Sequence, residues 1–180
     1  MTDPKTHHQK PNTQLLVLDV DGVLTDGGLY VDDKGIPSKK FNVKDGLGIK
    51  LAQRFGIQVA ILTGKTSRIV EHRANELGIE HVIQGSKDKA LDIAALCEQT
   101  GIAPEDTAMM GDDLPDLPAF AVVGYRIAVA DAVEQTQAAA DFVTTRPGGR
   151  GAVREAIEHL LKAQNKWKAA LAVFHNNPKT

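Results

Sequence analysis

Six short stretches of this chain, at residues 15–20, 57–62, 81–83, 107–110, 127–129 and 141–143, are apolar almost without interruption, and they constrain the fold more than any other feature. An exposed antiparallel strand alternates polar and apolar residues, whereas a parallel strand covered by helices on both faces reads as one apolar run. Between these stretches lie segments of helical period at 47–55, 67–77, 87–99, 115–122 and 132–139. Gly56, Gly78 and Gly101 each stand where a helix needs a left-handed residue to end it. Strand and helix in strict alternation predict an α/β fold, an open and doubly wound parallel sheet of the Rossmann type.

Three segments depart from the rhythm. Residues 26–43 have no room for a strand–helix unit. Their turn-rich Asp32-Asp33-Lys34-Gly35, between residues 28–31 and 39–43, predicts a projecting β-hairpin. Pro147-Gly148-Gly149-Arg150-Gly151 reads as a flexible hinge before a last helix that carries Val153, Ile157, Leu160 and Leu161 on one face. Beyond Asn165, Trp167, Leu171 and Phe174 give a tail enough apolar surface to dock on protein. The expected organisation is a disordered tail over residues 1–12, which includes His7 and His8, one domain over 13–164 and a C-terminal tail over 165–180.

Composition removes several classes of function. The chain has 180 residues, 42% of them hydrophobic, which suits one packed domain. Twenty-one basic against 23 acidic residues leave a net charge of −2, too balanced for a general nucleic-acid or membrane-surface binder. Cys97 is the sole cysteine, so neither a disulfide framework nor a multi-cysteine zinc site is available. No apolar run approaches the roughly 18 residues of a membrane span, and no secretory core follows the polar start; a cytoplasmic location is expected. Aromatic residues are only 4%, which argues against a pocket for a large apolar ligand.

Ligands of such a sheet bind at the carboxyl ends of its strands. The first predicted strand runs into Asp19-Val20-Asp21-Gly22, the second into Thr63-Gly64-Lys65, and the fourth into Gly111-Asp112-Asp113-Leu114-Pro115-Asp116. After the third comes Lys87-Asp88-Lys89. Carboxylates gathered on one edge repel one another unless a cation compensates them, and an oxygen-only set without paired His or Cys favours Mg²⁺ over zinc. A carboxylate beside Mg²⁺ is able to attack phosphorus, a neighbouring Asp21 to protonate the leaving alcohol, Thr63 to hydrogen-bond a phosphoryl oxygen, and Lys89 or Lys87 to supply positive charge. These are the parts needed for phosphomonoester hydrolysis.

Those four motifs, in that order, resemble the haloacid dehalogenase-like phosphatases. The resemblance implies Asp19 as nucleophile, Asp21 as general acid and base, and Thr63 and Lys89 on the phosphoryl group. It also implies a Mg²⁺ held by Asp19, the Asp21 carbonyl and Asp112, with Asp113 and Asp116 in support. Members of that superfamily usually insert a cap domain after the first or second motif, and this chain has no space for one. Residues 39–89 carry ten basic against five acidic side chains, a surplus suited to a substrate with charge beyond its phosphate. Phe41 to Lys50, Gln84-Gly85, Ala128 to Ala132 and Gly148 to Glu155 further resemble the capless subfamily that dephosphorylates 3-deoxy-D-manno-octulosonate 8-phosphate, a sugar acid of lipopolysaccharide synthesis. That resemblance covers residues 15–164. It implies substrate contacts from Asp21, Asn42, Val43, Lys44, Asp45, Gly46, Lys50, Lys65, Arg73 and Lys89. It also implies a homotetramer in which the hairpin of an adjacent subunit serves as lid. Lys50 and Lys65 stand where the subfamily often has arginine, which keeps the charge and loses bidentate recognition.

Two rival readings are open at this point. One keeps the chemistry and changes the substrate to a nine-carbon ketoacid 9-phosphate or to sugar phosphates more broadly. The other is a phosphate-accepting receiver or regulatory module. The motif order disfavours it, because a receiver's lysine comes last and here an acidic cluster follows the lysine.

Overall fold

The structure, a computed structural model, describes residues 11–175. The expected tail over residues 1–12 therefore falls largely outside the described residues, with His7 and His8 in it. Six strands form one parallel sheet: β1 (Leu15–Leu18), β4 (Gln58–Thr63), β5 (His81–Gln84), β6 (Thr107–Gly111), β7 (Tyr125–Ala128) and β8 (Phe142–Val143). Two further strands, β2 (Tyr30–Val31) and β3 (Pro37–Ser38), make an antiparallel hairpin outside it. The sheet order is β5-β4-β1-β6-β7-β8. That order is doubly wound about β1, and it differs from the order of the receiver fold, which removes the rival receiver reading.

The apolar runs are continuous because the sheet is covered on both faces. Leu16 and Leu18 enter the core beneath α1 (Val43–Arg54), α2 (Arg68–Leu77) and α6 (Ala152–Ala163). Leu15 and Val17 enter a second core beneath α3 (Lys89–Thr100) and α4 (Leu117–Phe120). All four side chains are fully buried, and burying each is worth about 2 kcal/mol.

Helix α1 begins four residues earlier than its periodicity suggests. Asn42 caps it by accepting from the Lys44 N–H at 2.9 Å. Gly46 and Gly48, which weaken the helical signal, sit where α1 packs closely: a Cβ on Gly46 would lie 2.4 Å from the Arg73 guanidinium, and one on Gly48 3.2 Å from the Arg154 backbone. The hairpin strands are also shorter than expected, and the second pairs at Pro37–Ser38 instead of 39–43. Residue 41 instead bridges back to Thr25. Pro147–Gly151 is no hinge. Gly148 and Gly149 are buried, the Gly148 N–H donates to Asp131 and the Gly149 N–H to the Val23 carbonyl. The chain beyond Asn165 forms α7 (Trp167–His175), with Ala170 buried and Trp167 against the core, so the packed unit extends past residue 164.

A ring cluster ties β7 and β8 to α6. His159 stacks on Phe142 at 4.0 Å between centroids, and its Nε2 lies 2.8 Å from the Tyr125 hydroxyl. Burial, and then the charge of Lys162, hold the imidazole below its ordinary value of 6.5. The unfolded chain therefore takes up this proton first as pH falls through 6.5. Stability from this group is present above that pH and is lost on acidification. Substituting His159→Gln should cost about 1 kcal/mol at pH 8 through lost stacking, and the gap to wild type should narrow toward pH 5 in thermal melts.

Candidate active site

The topological switch lies between β1 and β6, whose carboxyl ends point to one edge. The chain leaves β1 at Asp19, whose N–H donates to the Met110 carbonyl at 3.1 Å, and leaves β6 at Asp112. Between Asp19 and Thr25 the backbone makes a wide loop closed by the Thr25 N–H on the Val20 carbonyl at 3.0 Å. Gly22 in that loop has φ +94°, and a Cβ on it would lie 2.0 Å from an Asp112 carboxylate oxygen. Only glycine lets the two acidic loops approach this closely. Gly111 does the same for Asp116, whose carboxylate carbon would be 2.5 Å from a Cβ there. The buried glycine loop at 148–149 backs this assembly: a Cβ on Gly148 would be 1.6 Å from the Gly22 carbonyl oxygen.

Asp19, Asp112 and Asp116 bring carboxylate oxygens within 4.8 Å of one another, the single such group among the described residues. Lys89, at the first turn of α3, reaches into them, with its Nζ 2.8 Å from Asp19 and 2.6 Å from Asp116. It is 8% exposed, whereas Lys87 two residues earlier is exposed, so the structure separates the two candidate lysines. Asp88 starts that helix by accepting from the Ala90 and Leu91 N–H groups, which fixes the direction of Lys89. Burial, only partly offset by Lys89, raises the Asp19 carboxyl to about 6. Burial and the neighbouring charge of Asp19 raise Asp112 to about 7. Burial alone would lower Lys89, but the charges of Asp19 and Asp116 outweigh it and hold the ammonium firmly protonated.

The cleft over this centre has a volume of about 490 Å³, and Asp21, Thr63, Lys65, Ser86 and Asp113 line its walls. A model for haloacid dehalogenase-like hydrolases matches residues 79–157. The 3-deoxy-D-manno-octulosonate 8-phosphate phosphatase of Escherichia coli (strain K12) is 49% identical over 155 residues, 86% of this chain and 82% of that protein. The chain belongs to the 3-deoxy-D-manno-octulosonate 8-phosphate phosphatase family. The Salmonella typhimurium member is 47% identical over 163 residues, 91% of this chain and 87% of its own. The crystal structure of the Moraxella catarrhalis phosphatase, in complex with magnesium, phosphate and a KDO molecule, superposes with a TM-score of 0.89 at 44% identity. It covers 92% of this chain and 95% of that one.

In this octulosonate phosphatase family member the donor set fits Mg²⁺. All donors are oxygens, and two of the three carboxyls are pushed up by burial and then by neighbouring carboxylates, a cost that a hard divalent cation would offset. Asp116, itself buried, stands with Asp19 and Asp112 while accepting from the Asp112 and Asp113 N–H groups. Asp113 is exposed, and its side chain accepts from Leu114 N–H and caps the helical turn at Leu114–Asp116.

The expected substrate residues divide. Asp21, Lys65 and Lys89 line the cleft, with Thr63 beside them. Asn42, Val43, Gly46, Lys50 and Arg73 do not line it. The Lys50 ammonium donates to the Glu76 carbonyl, Arg73 pairs with Glu76 and lies over the Phe41 ring, and Lys44 lines a separate cleft with Arg146 and Arg154. Asp45 also lies off the cleft. Both its oxygens accept from the start of α6, from Gly151 N–H at 3.2 Å and Arg154 N–H at 2.8 Å, which ties α1 to α6. Lys39 escaped the sequence reading. From the base of the hairpin it pairs with Asp21, and its signal was only a lysine pair ahead of α1.

Proposed function

We propose that this chain hydrolyses 3-deoxy-D-manno-octulosonate 8-phosphate to the free sugar acid and inorganic phosphate, in the supply of lipopolysaccharide precursor. The observation that carries the reading is the buried Asp19 at the sheet's switch point, held by Lys89 and with Asp21 two residues on at the mouth of the cleft, in a chain nearly half identical to such phosphatases. In the first half-reaction an Asp19 oxygen attacks phosphorus and forms an aspartyl-phosphate, while Asp21 gives its proton to the departing alcohol oxygen. In the second, Asp21 takes a proton from the water that releases phosphate. Lys89 balances charge on the transferring group, and Thr63 donates to one of its oxygens. Asp19, Asp112 and the Asp21 carbonyl would hold magnesium, which would supply positive charge to the phosphoryl oxygens.

Lys65, an exposed cation lining the cleft, is available to the sugar acid's carboxylate. Asn42, Val43, Lys44, Gly46, Lys50 and Arg73 belong to the proposal as contacts completed where a second copy meets this edge. We place that copy in a homotetramer. Leu29 is 84% exposed, and Val31 and Ile36 on the same hairpin are exposed too, an apolar surface suited to a second copy whose hairpin would cover the open cleft. A cytoplasmic location goes with this reading and suits the single, reduced Cys97.

A panel of sugar phosphates with phosphate detection tests the substrate. Octulosonate 8-phosphate should exceed nine-carbon ketoacid 9-phosphates and hexose phosphates by about 100-fold in kcat/KM. A flat profile rejects the assignment. Light scattering should give four times the 19.3 kDa chain mass, and a fully active monomer removes the shared lid.

A further inference from the structure

We infer that Lys39 is a positioning residue, which fixes the Asp21 carboxyl so that one of its two oxygens faces the leaving group. The inference rests on the acid–base reading of Asp21 given above. Asp21 has two cationic neighbours of different character. Lys39, from the base of the hairpin, bonds Oδ1 with a side chain only 15% exposed. Lys65, from the loop after β4, lies 3.4 Å from Oδ2 with a side chain 64% exposed, and it lines the cleft, which Lys39 does not.

The asymmetry divides labour between the oxygens. The largely buried Lys39 side chain is held by the hairpin and by the bridge of Phe41 to Thr25, so it fixes Oδ1. A solvated ammonium on a flexible stem is displaced readily, and surface pairs of that kind are worth little. Oδ2 is therefore the oxygen that exchanges Lys65 for substrate. In the first half-reaction the bond from phosphorus to the alcohol oxygen breaks, its electron pair goes to that oxygen, and the proton carried on Oδ2 follows it. In the second, Oδ2 takes one proton from water as the bond between Asp19 and phosphorus breaks. Rotation of the carboxyl by a few tens of degrees would spoil both transfers, because proton transfer needs the donor within hydrogen-bond reach.

Leaving-group dependence separates positioning from other roles. An alkyl phosphate such as octulosonate 8-phosphate needs the proton, and p-nitrophenyl phosphate, with a stable phenolate, does not. In K39M, kcat/KM should fall about 100-fold for the alkyl ester and less than about threefold for the aryl ester. Binding of the free sugar acid, measured by calorimetry, should be unchanged, and K39R should recover most of the alkyl activity. An equal fall for both esters, or no fall for either, overturns the inference. So does a matching loss of sugar-acid affinity, which would make Lys39 a substrate contact. The melting temperature of each variant guards against misfolding, and K39R keeps the comparison meaningful should K39M be unstable. If wild-type enzyme ignores octulosonate 8-phosphate, the substrate assignment fails by itself, and the same comparison is run with the panel's best alkyl ester.

Discussion

Replacing Asp19 by Asn should lower phosphate release by roughly 10⁴-fold or more while leaving the protein folded. The amide has nearly the shape of the carboxylate, so packing at the end of β1 is kept. It is a far poorer nucleophile, and no other carboxylate takes its place: Asp116 is committed to two backbone N–H groups and to Lys89. Stability should hold or rise. Burial already pushes the Asp19 carboxyl up to about 6, which means that the fold carries this charge at a cost. Lys89 would keep Asp116 as its partner. Phosphate release from an aryl ester, read beside a thermal melt, tests both halves. A variant with more than about a hundredth of wild-type activity would contradict the nucleophile assignment.

Lys89→Met should be damaging in both respects. The ammonium is the shared partner of two buried carboxylates, at 2.8 and 2.6 Å, and its removal strands them. Breaking a buried pair from one side costs about 3–5 kcal/mol, and methionine fills the stem volume, so the loss reads charge and not a cavity. Activity should fall about 1,000-fold, because the transferring phosphoryl group loses a fixed cation. Lys87→Met is the control: that side chain is exposed, and its removal should change stability by less than about 0.5 kcal/mol. Urea denaturation of the two variants makes the comparison. A Lys89→Met loss of under about 1 kcal/mol would show that the buried charges are compensated by something else.

The legible part of this molecule is the part encoded locally and in order. All six sheet strands and their parallel sense follow from uninterrupted apolar runs, since only a strand covered on both faces has that composition. The residues after four of those strands had to meet at one edge, whatever the loops did, so Asp19, Asp21, Thr63 and Asp112 could be placed there from their order, whereas order left Lys87 and Lys89 both open. The start of α1 was obscured by Gly46 and Gly48. These glycines mark close approach to Arg73 and to the α6 backbone, partners distant in sequence. Asp45 entered the expected site only through the family resemblance, and its carboxylate serves N–H groups more than 100 positions away, which no local pattern shows. The segment 147–151 has the composition of a hinge and the environment of a packed wall, because glycine serves flexibility and close contact equally well.

The sequence by itself determined the fold class, the edge at which the chemistry lies and the absence of space for a cap, because periodicity and motif order survive any arrangement of side chains. The tertiary structure alone decided which lysine enters the carboxylate centre, that Asp116 is buried beside Asp19 while Asp113 is exposed, and that the two oxygens of Asp21 have unequal neighbours. Those distinctions depend on burial and on distances of a few ångströms between residues far apart in the chain. At that range the loss of water sets both the cost of a charge and the value of its partner.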